Sequence, residues 1–435
     1  AAIVFESHGA DAWYERPLEE FLPKNLACPD CGGKNFKRES NILDVWFDSG
    51  SSHESVLIND QTLSWPADMY LEGSDQHRGW FHSSLLIGLG TRGQPPFREV
   101  LTHGFVVDEN GRKMSKSLGN TVAPQDIIAK NGAEILRLWV AMVDTGEEVR
   151  VGQEVLSRVV EAYRKLRNTC RILTANLYDF DPTKDSIPLD RMEELDRFAL
   201  ARFGESAQRI IEAYDTYNFP AIFKTLNSLA TVDLSAFYVD VTKDRLYTYG
   251  SQSHGRRSVQ TAMYLMVDSL SRLMAPILPF TADQLWQYLP GERSASVHLE
   301  KFPSIDTFID SELLNNWNQL LEVRNEVNIA LEEQRKNKVI GTSLGAIVKI
   351  KAQKGPLGNL LTKHYEQLPM LFIVSEVVLN IDPENGSDDL KIQVEKATGM
   401  KCERCWRYVT TLTSDPNKEG LCKRCAAALT EAVNP

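Results

Sequence analysis

No stretch of the 435-residue sequence is apolar for long enough to span a bilayer as a helix, which argues against a membrane-spanning protein. Nor is there an excess of positive charge. With 48 Lys and Arg against 59 Asp and Glu, the formal net charge is −11, which argues against a protein that coats nucleic acid. A local basic surface remains open, because binding responds to local potential. Internal repeats and low-complexity tracts are absent. The first residues, AAIVFESHGADAW, show neither a basic n-region nor an apolar h-region. They read as the middle of a fold, so a fragment of a longer chain is expected. Cysteine is scarce but not scattered: six of the seven fall in CxxC pairs. Without a secretion signal, that pattern is metal-ligand arithmetic in a reducing cytoplasm rather than a disulfide framework.

What is present is ordinary for a globular protein, at 43% hydrophobic and 25% charged residues. The length calls for roughly two to four domains. Residues 1–149 read as mixed α/β. DMYLEG (68–73) is a short strand ending in glycine, HRGWFHSSLLIGLG a helix, and REVLTHGFVVDENG a strand pair or hairpin. APQDIIAKNGAEILRLWVAM reads as one helical segment with Pro124 near its start; Ile135, Leu138, Trp139 and Met142 share one face. Residues 150–330 carry long amphipathic patterns, including a stripe of Leu195, Phe198, Ala199, Ile210, Ile211 and Tyr214, and read as an α-helical bundle. The last helix of this pattern is expected to stop at Gly341. Residues 331–395 return to α/β, with LGAIVKI and LFIVSEVVLN as strands around a helix and PENGSDD as a turn. Residues 396–435 form a small, cysteine-rich end that is locally basic, with seven Lys and Arg against four Asp and Glu.

CERC and CKRC, sixteen residues apart, place Cys402, Cys405, Cys422 and Cys425 as two knuckles for one tetrahedral structural Zn2+. So short an end has little core of its own, and the metal would supply its folding energy. Around these ligands Lys401, Arg404, Arg407, Lys423 and Arg424, with Trp406 and Tyr408, suit phosphate and base contacts. A ribbon that only packs on its neighbour is the alternative. Cys28 and Cys31 in CPDCGG are half a site, with no second pair within the next hundred residues, and whether they hold a metal stays open. Cys170 sits in a helical pattern and reads as a packing residue.

The stretch NGRKMSKSLGN (110–120) sets Lys113 and Lys116 three apart, with Ser115 and Ser117 as hydroxyl donors and glycines on both sides. Such a loop suits a triphosphate whose charge shifts toward leaving pyrophosphate. It lacks the GxxxxGK[ST] spacing of a Walker loop. Alone it could equally be a basic surface loop; its company favours chemistry. DVWFDSG (44–50) and YLEGSDQHRGWF (70–81) gather Trp46, Glu72, Asp75 and Gln76 where a strand runs into a helix, the place an open α/β sheet builds its ligand crevice. Trp80, in the helical run, reads as core.

KMSKS together with DVWFDSG, LEGSDQHRGWF and CERC…CKRC resembles the class I aminoacyl-tRNA synthetases over nearly the whole chain. KMSKS marks the class and is shared with the valine and leucine enzymes; GSDQHRGWF and the four-cysteine tail narrow the resemblance to the bacterial-type isoleucine branch, and to its C-terminal half. The resemblance implies a multidomain α/β plus α fold. Its parts are the second half of a Rossmann-type catalytic domain (1–149), an α-helical anticodon-binding bundle (150–330), an α/β junction (331–395) and a zinc ribbon (396–435) that contacts tRNA. It implies an ATP-dependent ligase, with Mg2+, that forms isoleucyl-adenylate and acylates the 3′ end of tRNA(Ile), as a cytoplasmic monomer away from membranes. By the same resemblance Glu72 would bind the adenylate, with Asp75 and Gln76 lining the site and Trp46 bordering the isoleucine side chain. His103, Gly104 and Val106 would lie beside the nucleotide. Lys116, assisted by Lys113, would stabilise departing pyrophosphate, with Ser115 and Ser117 also on ATP. The family's HIGH signature is missing, SHGA (7–10) being no substitute, and so is the inserted editing domain. Separating isoleucine from valine is the standard case where side-chain binding alone falls short and editing is needed. The chain alone is therefore expected neither to activate isoleucine efficiently nor to edit. The rival readings are an RNA-binding module without catalysis, and a valine or leucine enzyme.

Overall fold

A computed structural model describes residues 1–383 and 390–431. The chain divides into two compact units, Ala1–Phe105 and Val106–Pro435. No described helix is long and apolar enough to cross a membrane.

The first unit opens with helix α1 (Ala2–His8) and holds a short helix α2 (Val45–Gly50), strand β1 (Ala67–Gly73), helix α3 (Trp80–Arg92) and strand β2 (Phe97–His103). β1 and β2 are parallel, with Tyr70 opposite Val100 and Gly73 opposite His103. Parallel pairing needs a crossover, and α3 supplies it. An aromatic cluster fixes helix to sheet: Tyr70 stacks on Trp80 at 4.1 Å between ring centroids and meets Phe97 at 4.7 Å. Trp80 also donates its indole N–H to the Ser49 carbonyl at 3.1 Å. Leu71 and Val100 stay exposed, an unusual state on a parallel sheet, which normally has both faces covered.

The second unit begins with β3 (Val106–Val107), then α4 (Pro124–Asn131), α5 (Ala133–Met142) and β4 (Val149–Arg150), which pairs in parallel with β3. The strand pair or hairpin expected over 98–111 is therefore two strands that each pair elsewhere, and the hairpin lies further on, where Val107 bridges Lys113. The single helical segment expected over 123–142 is two helices, because Gly132 between them takes φ +88°. Ile135, Leu138 and Trp139 are buried on the predicted face, and Met142 packs against the same core.

The bundle comprises α6 (Gln153–Ala175), α7 (Glu194–Asp215), α8 (Phe219–Ser228), α9 (Asp240–Thr248), α10 (His254–Met274), α11 (Pro279–Gln287) and α12 (Ser311–Lys336). In α7 the predicted stripe is joined by buried Leu200, Phe203 and Ala207, so the first half of the helix is covered on most sides, while Glu205, Gln208, Arg209 and Glu212 keep one face of its second half in solvent. Its buried Asp196 takes a bidentate ion pair from Arg245, plus the hydroxyls of Tyr238 and Ser258. Such a charge survives burial because every lone pair has a donor. α12 ends at Lys336, with Lys338 in the left-handed region at φ +59°, and not at Gly341.

The junction is a three-stranded sheet of order β6–β5–β7, from β5 (Ala346–Gln353), β6 (Glu376–Asp382) and β7 (Lys391–Lys396), with helix α13 (Pro356–Lys363) between β5 and β6. β5 alternates buried Ala346, Val348, Ile350 and Ala352 with less buried residues, the period of a strand with one face on the core. Leu371 and Phe372 precede β6 at the end of a helical turn, so the second expected strand is shorter than its apolar run. The expected turn at PENGSDD lies, after its proline, outside the described residues. The end of the chain adds the hairpin β8 (Met400–Lys401) and β9 (Tyr408–Val409), then helix α14 (Lys423–Glu431).

Candidate functional site

In the first unit, Glu72, Asp75 and His103 meet at the C-terminal ends of β1 and β2. Glu72 Oε1 lies 3.9 Å from His103 Nε2 and accepts the Gly73 amide at 3.0 Å. A Cβ on Gly73 would stand 2.6 Å from Asp75 Oδ1 and 3.7 Å from His103 Cε1, so glycine is what lets acid and imidazole converge there. His103 Nδ1 is 2.9 Å from the Gly104 carbonyl oxygen. A carbonyl only accepts, so Nδ1 carries the proton and Nε2 is left to face Glu72. Gln76 donates to Asp75 at 3.1 Å and accepts the Trp80 amide at 3.0 Å, which ties the cluster to the start of α3. The half-exposed Trp46 ring fills the space of an absent Gly79 side chain, where a Cβ would meet it at 2.7 Å. This cluster is thus an exposed carboxylate pair, an amide, a ring and an imidazole set around one strand end.

Val106 and the lysine loop belong to the second unit. Asp108 N–H donates to the Arg112 carbonyl at 2.9 Å and Gly111, at φ +75°, makes the turn back to Lys113. Residues 116–118 form a short 3-10 turn closed by Gly119 at φ +65°. Ser115 Oγ accepts the Leu118 amide at 3.2 Å and lies 3.1 Å from Ser117 Oγ, so one of the hydroxyls read as an ATP donor caps the turn. Lys113 and Lys116 are exposed, and among the described residues neither has an ion-pair partner. Sequence reasoning missed Asp108 and Asn120. Asp108 is buried, and its carboxyl is held down at about 2, first by the Asn120 side-chain amide and then by the Arg112 backbone N–H. The available signal was DENG, an acid two residues before an Asn-Gly turn.

The four C-terminal cysteines converge. Their sulfurs all lie within 4.8 Å of one another, all four side chains are buried, and Cys405 and Cys422 are 3.9 Å apart. Sulfurs at the corners of a tetrahedron about a metal at ~2.3 Å would be ~3.8 Å apart, so the donor set fits zinc. The Cys422 amide donates to Cys402 Sγ at 3.3 Å, the N–H···S contact of a metal knuckle. The hydrogen bond from Cys425 pulls the Cys405 thiol down, while Cys422 and Cys425 are pushed up, so a metal would have to displace protons from the set as it binds. With Val409, Leu412 and Leu421 around them, the cysteines are themselves the ribbon's core.

Three of the basic residues read as phosphate contacts do something else. Arg424 makes a bidentate pair with Asp244 on α9 at 2.8 and 2.9 Å, and Arg407 reaches the same carboxylate at 3.4 Å. Arg404 donates to the Tyr247 carbonyl at 3.4 Å. Lys401, Trp406 and Lys423 remain exposed. Cys28 and Cys31 form a tight turn, Gly32 N–H to Cys28 carbonyl at 2.9 Å, and both are free thiols. Among the described residues no third metal-binding side chain joins them. Cys170 is buried in α6, and burial pushes its thiol up to about 12, which makes it inert packing.

Comparison with known families matches three stretches of the chain. The tRNA synthetases class I (I, L, M and V) match residues 1–152, the anticodon-binding domain of tRNA ligase matches 196–350, and the zinc finger found in FPG and IleRS matches 399–428. The chain belongs to the class I tRNA synthetase family. Curated relatives of the chain include several named isoleucine–tRNA ligase. That of Syntrophotalea carbinolica is 51% identical over 99% of this chain and that of Geobacter sulfurreducens 50% over 98%, in each case covering 47% of the relative. The chain thus spans about half the length of the curated relatives it matches. Among solved structures, a ternary complex of Agrobacterium radiobacter K84 LeuRS with tRNA and LeuAMS matches 82% of this chain and 43% of its own, at TM-score 0.52 and 17% identity, a likeness of fold.

Proposed function

We propose that the chain forms the lysine-loop, anticodon-binding and ribbon parts of an isoleucine–tRNA ligase, which activates isoleucine with Mg-ATP and transfers it to the 3′ end of tRNA(Ile). The observation that carries this reading is the 51% identity, over almost the whole chain, to a relative of that name. In this reading Lys116 and Lys113 neutralise the charge that builds on pyrophosphate as the carboxylate of isoleucine attacks the α-phosphate. Two unpaired ammonium groups on an ordered turn support that role. Glu72 and Asp75 hold the amino group or ribose hydroxyls of the adenylate, Gln76 fixes Asp75, and Trp46 borders the aliphatic side chain. His103, with its neighbours Gly104 and Val106, lies beside the nucleotide. The exposed apolar residues along the two-stranded sheet of the first unit support further strands from the rest of such an enzyme. Zinc, held by Cys402, Cys405, Cys422 and Cys425, supplies folding energy to the ribbon and takes no part in the chemistry. Exposed Trp406, with Lys401 Nζ 5.6 Å from its ring, suits a base and a phosphate of the tRNA.

The test is isoleucine-dependent ATP–pyrophosphate exchange by the full-length ligase, with valine and leucine in parallel; a valine preference well above isoleucine would sink the choice of substrate. Lys116→Ala should slow adenylate formation on the order of a hundredfold and leave tRNA affinity nearly unchanged; equal loss of both would favour a plain RNA binder. Native mass spectrometry should find one zinc per chain, lost in Cys402→Ser.

A further inference from the structure

The lysine loop is closed by a ring of side-chain bonds that its exposed sequence does not announce. Asp108 accepts four donors. Oδ1 takes the amides of Asn110 and Arg112, each at 2.9 Å; Oδ2 takes Arg112 Nε at 3.0 Å and Asn120 Nδ2 at 2.9 Å. Asn120 passes the ring on: its Oδ1 accepts the Ser115 amide at 2.9 Å, and its Nδ2 reaches the Lys113 carbonyl at 3.3 Å. Backbone groups on Lys113 and Ser115, the residues on either side of Met114, are thereby tied to a buried carboxylate at the start of the segment and to an amide at its end. The bonds to that carboxylate are charge-assisted, and so stronger than neutral ones. The lysine side chains themselves stay out of the ring.

We propose that Asp108 and Asn120 are positioning residues for Lys113 and Lys116, holding the loop as a preformed hairpin from which both ammonium groups reach the triphosphate with their backbone order already in place. This rests on the ligase reading above for what the lysines do. The physical reason is entropy: a loop ordered before nucleotide arrives leaves less freedom to lose in the transition state, so its removal should lower kcat more than it raises KM. Neither residue touches substrate in this account; each acts through the lysines.

The experiment uses the full-length ligase with Asp108→Ala and Asn120→Ala, and Asp108→Asn as a milder variant that retains an oxygen acceptor. Hydrogen exchange without nucleotide is read at the Arg112 and Ser115 amides. Both alanine variants should exchange on the order of 10- to 100-fold faster there, with the melting temperature unchanged and Asp108→Asn in between. In pyrophosphate exchange the alanine variants should lose on the order of 10- to 100-fold in kcat with KM for isoleucine unchanged. Unchanged amide protection overturns the ring. Faster amide exchange with an unchanged kcat overturns positioning while leaving the ring. A wild-type enzyme with protected amides but no isoleucine-dependent exchange overturns the ligase reading, and the positioning role with it.

Discussion

Removing the Asp244 carboxylate should release the ribbon from the bundle without unfolding it. Asp244 has about a fifth of its side chain exposed and carries the bidentate pair with Arg424, the longer contact to Arg407 and the Thr248 hydroxyl at 2.7 Å. Burial works to raise its pKa, and the hydrogen bonds and charge of Arg424 outweigh that, so the carboxyl stays below the usual range and is ionised at neutral pH. Breaking a fully buried pair costs ~3–5 kcal/mol and an exposed one ~0–1 kcal/mol. Arg424 is about a third exposed, and in Asp244→Ala it keeps the Thr248 hydroxyl at 3.0 Å and the Tyr249 ring at 4.7 Å. An intermediate loss of ~1.5–2.5 kcal/mol follows, which is about 10- to 70-fold in the docked-to-undocked ratio. Two amides separate undocking from unfolding. Tyr408 N–H donates across the junction to Ser375 Oγ at 2.7 Å, whereas Trp406 N–H donates within the knuckle to the Cys402 carbonyl at 2.9 Å. In the zinc-loaded protein, hydrogen exchange at Tyr408 should accelerate by that 10- to 70-fold while Trp406 stays protected. Equal acceleration of both amides would refute the argument, since the pair would then hold the ribbon's own fold. No acceleration at either would show that Ser375 and Arg404 dock the ribbon unaided.

Three further outcomes follow from the bundle and the loop. Asp196→Ala strips the hydrogen-bonded carboxylate from buried Arg245, together with a partner of Tyr238 and Ser258, and should cost ~3–5 kcal/mol in urea unfolding; a loss under 1 kcal/mol would mean Arg245 finds other partners. Phe198, fully buried and stacked on Trp317 at 5.1 Å, should cost ~3–5 kcal/mol as Phe198→Ala by the same measurement. For the loop, Asp108 has its carboxyl lowered from 3.8 to about 2, so its stabilisation is fully present above the unfolded value and is lost as pH falls through about 2. Protection of the Ser115 amide, corrected for intrinsic exchange, should therefore persist at pH 4 and fall below it; protection that rises on acidification would contradict the charged form as the hub.

How far the sequence could be read depended on the range of the interaction. The helical face of Ile135, Leu138 and Trp139 and the alternation in β5 are set by period, and periods are visible in a linear string. The cysteine knuckles are visible because a metal imposes its spacing on the chain. The break at Gly132 and the helix end at Lys336, two residues before Lys338, were missed for a local reason: a residue at positive φ ends a helix, and Gly132 lay inside a strong apolar pattern while Lys338 is not a residue type that advertises the conformation. Asp108 was missed because its decisive partner is a side-chain amide twelve residues on, and Asp244 because its partner is 180 residues away. In the polar cluster at the end of β1, Glu72, Asp75 and Gln76 were legible as neighbours in sequence, but the convergence of His103 depends on the register of β1 with β2.

The ribbon shows why charge alone could not decide between an RNA-contacting surface and a docking surface. Both readings drew on the same set of cations, and the fold divides that set. Arg407 and Arg424 turn inward to one carboxylate, where a planar fork can satisfy two oxygens at once and a lysine could not. Lys401 and Lys423 stay outside, Lys401 beside Trp406. The position of that ring follows from the metal knuckle: Trp406 comes directly after Cys405, adopts φ +62°, and is pinned by its indole N–H to the Glu403 carbonyl at 3.1 Å. A bulky residue takes the left-handed region at a cost that the surrounding turn must overcome. The turn here is fixed by Cys402 and Cys405, so closing the knuckle on a metal also holds a large aromatic face toward solvent. Loss of the metal should then remove docking and the exposed ring together, whereas loss of Asp244 removes docking alone.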